Sequence, residues 1–239
     1  MTGCAGGVEE SDMNDERCSN VRTDRLRRHF ILGLAASTLA GLCLGTAQAS
    51  AKGSGPTILV LGDSLSAEYG LARGTGWVAL LEKRLADEKV AATVVNASVS
   101  GDTTSGGRAR LPALLDKHKP AVVVIELGGN DALRGLPMKN TQDNLSAMAQ
   151  AAQKAGAKVL LVGMQVPPNY GSDYARRFAA AFGEVARQHQ TALVPFLLEG
   201  VANGPDATAL FQPDRIHPNA QAHPIMLGNV WPALHKLLR

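Results

Sequence analysis

Five short runs of apolar residues recur between residues 57 and 195, and each predicts a β-strand. The runs are rich in β-branched residues, and the first, third and fourth are almost continuously apolar. Continuous apolarity is typical of strands that are covered on both faces, as in a parallel sheet. The predicted strands are Thr57–Leu61, Ala92–Asn96, Ala121–Leu127, Lys158–Met164 and Ala192–Pro195.

Stretches with helical periodicity separate these runs. Their apolar residues recur at intervals of three and four, which is the spacing of one buried helix face. We expect Thr103 or Thr104 to cap the second helix and Ser172 to cap the fourth, because hydroxyl side chains accept hydrogen bonds from free backbone N–H groups. A last helix is expected from about Ala220 to Leu238, shortened or kinked by its two prolines.

The alternation of strand and helix predicts the fold class. We expect one α/β domain, a three-layer α/β/α sandwich around a five-stranded parallel sheet with right-handed crossovers. The flavodoxin-like strand order 2-1-3-4-5 fits this pattern. In such sheets the binding crevice lies at the carboxyl ends of the strands, where the strand order reverses. Polar residues that follow strands one, two and three should therefore converge.

The first 49 residues have the order of an export signal. The basic segment Arg25–Arg28 precedes the uncharged run Phe30–Thr46, and the small-x-small triplet Ala47–Ala49 follows, which predicts cleavage before Ser50. We therefore expect an extension and signal peptide over residues 1–49, a mature domain over 50–239, and a periplasmic or secreted protein. The alternative is an uncleaved N-terminal anchor, although the apolar run is short for a membrane-spanning helix.

The composition of the predicted mature domain differs from that of the whole chain. All three cysteines lie in the first 49 residues, so the mature chain can form neither a disulfide nor a metal–thiolate site. The whole chain carries a net charge of +3, and residues 50–239 alone carry +4. This balance is too weak, and the 4% aromatic content too low, to indicate nucleic-acid binding.

Candidate catalytic residues follow the first three strands directly. The segments Gly62–Ser66, Asn96–Thr104 and Gly128–Asp131 follow them in turn. Each segment alone has an ordinary loop composition, rich in Gly, Asn, Asp and Ser. Together they place a hydroxyl nucleophile, a glycine amide and a side-chain amide at one crevice. Acyl transfer requires that combination.

A nucleophilic serine also needs a base. Asp214 precedes His217 by three residues in a loop bracketed by prolines, so the carboxylate can fold back onto one imidazole nitrogen. The other nitrogen would then be free to take a serine proton. A surface turn is the alternative interpretation. The remaining histidines of the mature domain are expected to be structural or superficial; they are His118, His189, His223 and His235.

The four segments together resemble the SGNH (GDSL) hydrolases. Gly62-Asp63-Ser64-Leu65, Gly101, Gly128-Gly129-Asn130-Asp131 and Asp214-Arg215-Ile216-His217 follow the order of that family's four sequence blocks. The sequence around these motifs, over roughly residues 56–238, is similar to the bacterial secreted thioesterase I, lysophospholipase and arylesterase group. The resemblance implies that Ser64 is the nucleophile, His217 the general base and acid, and Asp214 its orienting partner. It also implies an oxyanion hole formed by the N–H groups of Ser64 and Gly101 and the side-chain amide of Asn130.

The resemblance further implies a serine esterase that needs no metal or organic cofactor. Its partner would be a small acyl ester or a lysophospholipid, with transient contact to membrane lipid. One alternative is a carbohydrate or peptidoglycan O-acetylesterase on the same fold, and a remote one is an inactive lipid- or glycan-binding module. Residues expected to line an acyl pocket are Leu133, Leu136, Met138, Val166 and Pro168.

One residue departs from the family pattern. Glu68 stands where relatives commonly have glycine, two positions beyond Ser66. Its carboxylate could alter access to the crevice or its preference for substrate charge. A solvated loop carboxylate is the simpler interpretation.

Overall fold

The elements alternate as the sequence predicts. A computed structural model describes residues 55–204 and 206–239, and the predicted export signal lies outside this part of the chain. The strands are β1 Thr57–Gly62, β2 Thr93–Asn96, β3 Val122–Glu126, β4 Lys158–Val162 and β5 Ala192–Val194. The helices are α1 Trp77–Asp87, α2 Thr104–His118, α3 Gly129–Leu133, α4 Met138–Lys154, α5 Ser172–His189 and α6 His223–Leu237.

All five strands pair in parallel in the order β2-β1-β3-β4-β5, which confirms the predicted topology. The central strands β1, β3 and β4 are buried along nearly their whole length. The register sets Gly62 of β1 beside Glu126 of β3. The loops that follow these two strands therefore leave the sheet side by side.

Helices cover both faces of the sheet. α1 packs against α6, whereas α4 packs against both α2 and α5, which gives the three layers. Trp77 of α1 is fully buried in one of these layers. On α5, Phe178 and Phe182 meet edge to face with ring centroids 5.4 Å apart, a favourable aromatic geometry.

Two of the three predicted helix starts need correction. Thr103 does cap α2, since its side chain accepts a hydrogen bond from the N–H of Gly106. Ser172 does not cap α5: it is the first helical residue, and the cap position belongs to Gly171 with φ of 87°, a conformation that glycine adopts without strain. α6 begins at His223 rather than near Ala220, where Pro224 supplies a favourable first turn.

Within the part of the chain that the structure describes, no helix combines the length and apolarity needed to cross a membrane.

Candidate active site

The serine loop leaves the carboxyl end of β1 in a tight turn. The carbonyl of Asp63 accepts hydrogen bonds from the N–H groups of Ser66 and Ala67, at 3.2 and 2.9 Å. The Asp63 side chain accepts a third from the N–H of Leu65 at 3.0 Å. These bonds fold the chain around Ser64, whose side chain remains partly accessible at the edge of the sheet.

Three side chains form one hydrogen-bonded chain at this edge. His217 Nε2 lies 2.9 Å from Ser64 Oγ, and His217 Nδ1 lies 2.6 Å from Asp214 Oδ2. The second carboxylate oxygen of Asp214 accepts the N–H groups of Ile216 and His217, both at 3.0 Å. Asp214 therefore holds the turn with one oxygen and the imidazole with the other. Ser64 and His217 are brought together from positions 153 residues apart in the sequence.

This arrangement keeps Asp214 ionised. The backbone N–H of His217, its imidazole and the N–H of Ile216 all donate to the carboxylate, which lowers the pKa of Asp214 to about 2. A carboxylate that stays charged can stabilise an imidazolium on its partner. Asp214 thus suits the electrostatic role that a serine–histidine pair requires.

The loop after β2 lies beside the serine loop. The side chain of Asn96, the last residue of β2, donates to the carbonyl of Ser66 at 2.8 Å. Gly101 has φ of 79°, which a residue with a Cβ would adopt only with strain. Its carbonyl accepts a hydrogen bond from the Arg134 guanidinium at 2.8 Å. Arg134, which follows β3 in the chain, therefore holds the backbone of Gly101 in place.

Asn130 lies in α3, a five-residue helix that the sequence pattern did not predict. Its amide nitrogen donates to Asp63 Oδ2 at 3.0 Å and to the carbonyl of Asp102 at 2.9 Å. A side-chain amide has only two N–H hydrogens, and both have protein acceptors here. Donation to an oxyanion therefore requires that one of these bonds be shared or released.

Two carboxyl groups are buried at the serine loop: that of Asp63 within the loop and that of Glu126 at the end of β3. Burial raises the pKa of Asp63 to about 6. Burial and the neighbouring Asp63 charge raise the pKa of Glu126 well above its usual value. Glu126 Oε2 accepts the Ser66 hydroxyl at 2.7 Å, and Ser66 Oγ in turn accepts Trp77 Nε1–H at 3.1 Å. This network links the serine loop to the start of α1.

Comparison with known proteins identifies the family. The sequence profile of the GDSL-like lipase/acylhydrolase family matches residues 60–225. The chain belongs to this GDSL family. It is therefore an enzyme of the ester-hydrolase class, as the resemblance of its motifs implied.

Individual relatives agree with this assignment. Esterase TesA of Pseudomonas aeruginosa is 56% identical over 205 residues, covering 86% of this chain and 98% of that protein. Thioesterase 1/protease 1/lysophospholipase L1 of Escherichia coli K12 is 42% identical and covers 71% and 79% of the two chains. A crystal structure of TesA aligns at a TM-score of 0.73 with 58% identity, over 76% of this chain and 99% of that one.

The predicted acyl-pocket residues of this GDSL enzyme fall into two groups. Leu133, the last residue of α3, and Leu136, which follows that helix, are exposed. Met138 and Val166 are partly buried against the hydrophobic core, which leaves less of each for an acyl chain. The side chain of Pro168 lies outside the described part of the structure.

In this member of the GDSL family, the Glu68 carboxylate stabilises the loop that contains it. Its backbone has φ of 59°, and its carboxylate accepts the N–H groups of Gly74 and Gly76, at 3.0 and 2.8 Å for one oxygen. These hydrogen bonds offset the strain of a left-handed conformation at a residue with a Cβ. Glu68 is half-buried, so its carboxylate is partly solvated and also bonded to this loop.

Two residues that the sequence did not single out join the serine and histidine loops. The Tyr69 ring lies 4.3 Å from the His217 imidazole, centroid to centroid. Gln212 Nε2 donates to the carbonyls of Tyr69 at 2.9 Å and Pro218 at 3.0 Å. Gly70 allows this approach, because a Cβ there would overlap the Gln212 amide. No sequence signal marks either residue, since the contacts that each makes with the opposite loop join positions more than 140 residues apart.

The other histidines lie away from the serine. His118 and His189 end α2 and α5, and His235 stacks on Trp231. His223 is buried, and its Nδ1 accepts the N–H of Trp77 at 3.0 Å, while burial lowers its pKa. Among residues 55–204 and 206–239, no cluster of three or more His, Cys, Asp or Glu side chains is arranged to hold a metal ion.

Proposed function

We propose that the chain hydrolyses acyl esters and thioesters through an acyl-enzyme on Ser64. The observation that carries this proposal is the hydrogen-bonded chain from Ser64 Oγ through His217 to Asp214. It supplies an activated hydroxyl, a base that can also act as an acid, and a carboxylate that fixes the imidazole.

The reaction has two halves. His217 Nε2 takes the Ser64 proton as Oγ attacks the acyl carbonyl, and the resulting imidazolium then protonates the departing alcohol or thiol. Water enters, gives a proton to the same nitrogen and attacks the acyl-enzyme. Collapse of the second tetrahedral intermediate releases the carboxylic acid and returns the proton to Ser64.

The oxyanion is assigned to three donors: the N–H groups of Ser64 and Gly101 and the amide of Asn130. Asn130 would exchange its bond to the Asp102 carbonyl for the oxyanion and keep its bond to Asp63. Asp63 then acts as the positioning residue for this amide. Removing one such donor typically lowers turnover by about 10²–10³.

Lysophospholipids and other lipid or aryl esters are the substrates that we propose. The relatives named for esterase and lysophospholipase activities support this class. Leu133 lies in the same short helix as Asn130 and Leu136 follows it, so their exposed surface would contact an acyl chain. A basic mature domain is compatible with substrates that carry phosphate.

We further propose that residues 1–49 direct export and are removed before Ser50, so that the mature domain works in the periplasm or outside the cell. The basic segment, the apolar run and the Ala47–Ala49 triplet support this assignment. Export would separate the enzyme from cytosolic acyl-CoA, which is therefore not the physiological substrate that we propose.

A chain-length series of p-nitrophenyl esters tests the proposed activity. We expect hydrolysis to extend to octanoyl esters or longer ones, and Ser64→Ala to abolish most turnover while the circular dichroism spectrum stays unchanged. Ser98→Ala is the matched control, since this serine lies in the neighbouring loop and its buried hydroxyl has no partner among the described residues. Activity restricted to acetyl esters would favour an O-acetylesterase, and unchanged turnover by Ser64→Ala would rule out the mechanism.

A further inference from the structure

Large apolar side chains are exposed at very few places in the described part of the chain, and most of these places are at one edge. Five lie in segments that follow the carboxyl ends of strands, the edge that carries Ser64; a sixth, Ile225, lies on α6. The five are Tyr69 (50% exposed), Val99 (48%), Leu133 (46%), Leu136 (36%) and Ile216 (50%). We call them the apolar rim. Clustered exposed apolar residues indicate a binding surface.

The apolar rim lies on both sides of the catalytic serine. The Tyr69 ring lies beside the His217 imidazole in a tilted arrangement, and Ile216 precedes that histidine, so these two mark one side. Val99 belongs to the Gly101 loop, and Leu133 ends the helix of Asn130, so these mark the other. One acyl chain leaves the reacting carbonyl in a single direction. When the leaving group is polar, as in a lysophospholipid, this chain would cover only one side of the rim.

The cationic side chains that are exposed beside the apolar rim are arginines. Arg73, Arg134 and Arg215 are exposed on the same loops. The acidic side chains closest to the rim in sequence instead bond within the protein: Asp63 to Asn130, Glu68 to Gly74 and Gly76, Asp102 to Arg110, Asp131 to Thr104 and Asp214 to His217. Apolar side chains flanked by guanidinium groups suit a surface that is hydrophobic inside and anionic outside.

We propose that the apolar rim and its three arginines dock the enzyme on an anionic lipid surface, with Ser64 facing the lipid. The rim side chains would enter the region between headgroups and acyl chains, and the arginines would lie among the phosphates. The inference deepens the proposed function, because it states that the ester is taken from an aggregate rather than from free solution. Docking itself requires no catalysis and can be measured without it.

Binding is measured by sedimentation with vesicles, using the Ser64→Ala protein so that no lipid is hydrolysed. Vesicles of phosphatidylcholine alone are compared with vesicles containing about one quarter phosphatidylglycerol. We expect binding to the anionic vesicles that weakens as salt is added. Val99→Ser combined with Ile216→Ser should lower the partition coefficient by about tenfold or more, because two partly exposed apolar side chains no longer enter the lipid.

Ile225→Ser is the matched control, since it removes an exposed isoleucine of α6 and should leave partitioning unchanged. In the active enzyme, Val99→Ser with Ile216→Ser should lower the ratio of turnover on micellar lysophospholipid to turnover on soluble p-nitrophenyl butyrate, whereas Ile225→Ser should not.

Absence of vesicle binding by the Ser64→Ala protein, or an equal loss in Ile225→Ser, would overturn docking while leaving ester hydrolysis intact. Self-association through the rim in the absence of vesicles, seen by analytical ultracentrifugation and lost in Val99→Ser with Ile216→Ser, would overturn it as well. Vesicle binding without any ester hydrolysis by the active enzyme would instead refute the proposed function.

Discussion

At the scale of single residues, the buried carboxyl groups Asp63 and Glu126 make stability depend on pH. Their pKa values are raised in the folded protein, so the native state holds protons that the unfolded chain has released. The stability that they contribute is complete below the unfolded pKa values, near 4, and is lost as pH rises through the folded ones. Asp214 acts in the opposite sense, since its lowered pKa affects stability only at pH values below about 4.

Glu126→Gln should remove the contribution of Glu126 to this dependence. The amide keeps the shape of the side chain but cannot ionise, so the variant should gain stability relative to the wild-type protein as pH rises above 5. The gain is expected to approach about 1.4 kcal/mol per pH unit, the value for one proton, until the raised pKa is passed. Urea unfolding between pH 5 and 8 measures it. A difference that does not change with pH would contradict the prediction.

Gln212 is the second residue whose effect can be tested. Its amide N–H groups join the Tyr69 and Pro218 carbonyls, so it positions the histidine loop against the serine loop. Gln212→Met keeps the length of the side chain and removes both donors. We expect kcat to fall by roughly tenfold or more with little change in KM, because misplacing the reacting groups slows chemistry without weakening ester binding. A change confined to KM would show that Gln212 does not position the base.

At the scale of secondary-structure elements, a glycine sets how closely α2 approaches the sheet. A Cβ on Gly107 would overlap Leu127 Cδ1, whereas a Cβ on Gly228 of α6 would have no neighbour within 4 Å. Gly107→Ala should therefore destabilise the fold by about 1–3 kcal/mol through overpacking. Gly228→Ala should stabilise it by roughly 0.5–1 kcal/mol through its higher helix propensity. Thermal unfolding of the pair checks this prediction, and two shifts of the same sign would refute it.

The strands could be predicted from the sequence more accurately than the short helix α3 and the helix starts. Buried strands were predicted to within two residues of their ends, because a core covered on both faces leaves a continuous apolar run. α3 was missed, since five residues that include Gly129, Asn130 and Asp131 have the composition of a loop. Helix starts depend on local backbone geometry. The cap position of α5 has a positive φ, which favours Gly171 over Ser172 there.

The candidate site likewise contains residues that the sequence could predict and residues that only the folded structure reveals. Ser64, His217, Asp214 and Asn130 lie in short motifs, so the sequence could propose them as a set. Gln212 and the bracing role of Glu68 depend on contacts between loops, which no local pattern encodes. The two acceptors that engage the Asn130 amide were likewise visible only in the folded chain.

At the scale of the whole molecule, the proposed export signal holds all three cysteines. If cleavage occurs before Ser50, the mature enzyme contains no thiol. Reaction of the exported, denatured protein with Ellman's reagent should then release no thionitrobenzoate, and its activity should be unaffected by reducing agents. Intact mass should correspond to a chain that begins at Ser50. Detection of three thiols per chain in the exported protein would contradict the proposed cleavage.

The central claim is that Ser64 is the nucleophile, and covalent labelling tests it most directly. A p-nitrophenyl phosphonate ester should react once per active chain, releasing one equivalent of p-nitrophenol as activity is lost, because attack by Ser64 Oγ gives a stable tetrahedral adduct. Peptide mass mapping should locate the added mass on Ser64 and on no other residue. Ser98→Ala should be labelled like the wild-type protein, and Ser64→Ala should not be labelled. An adduct on another residue, or full labelling of Ser64→Ala, would contradict the account.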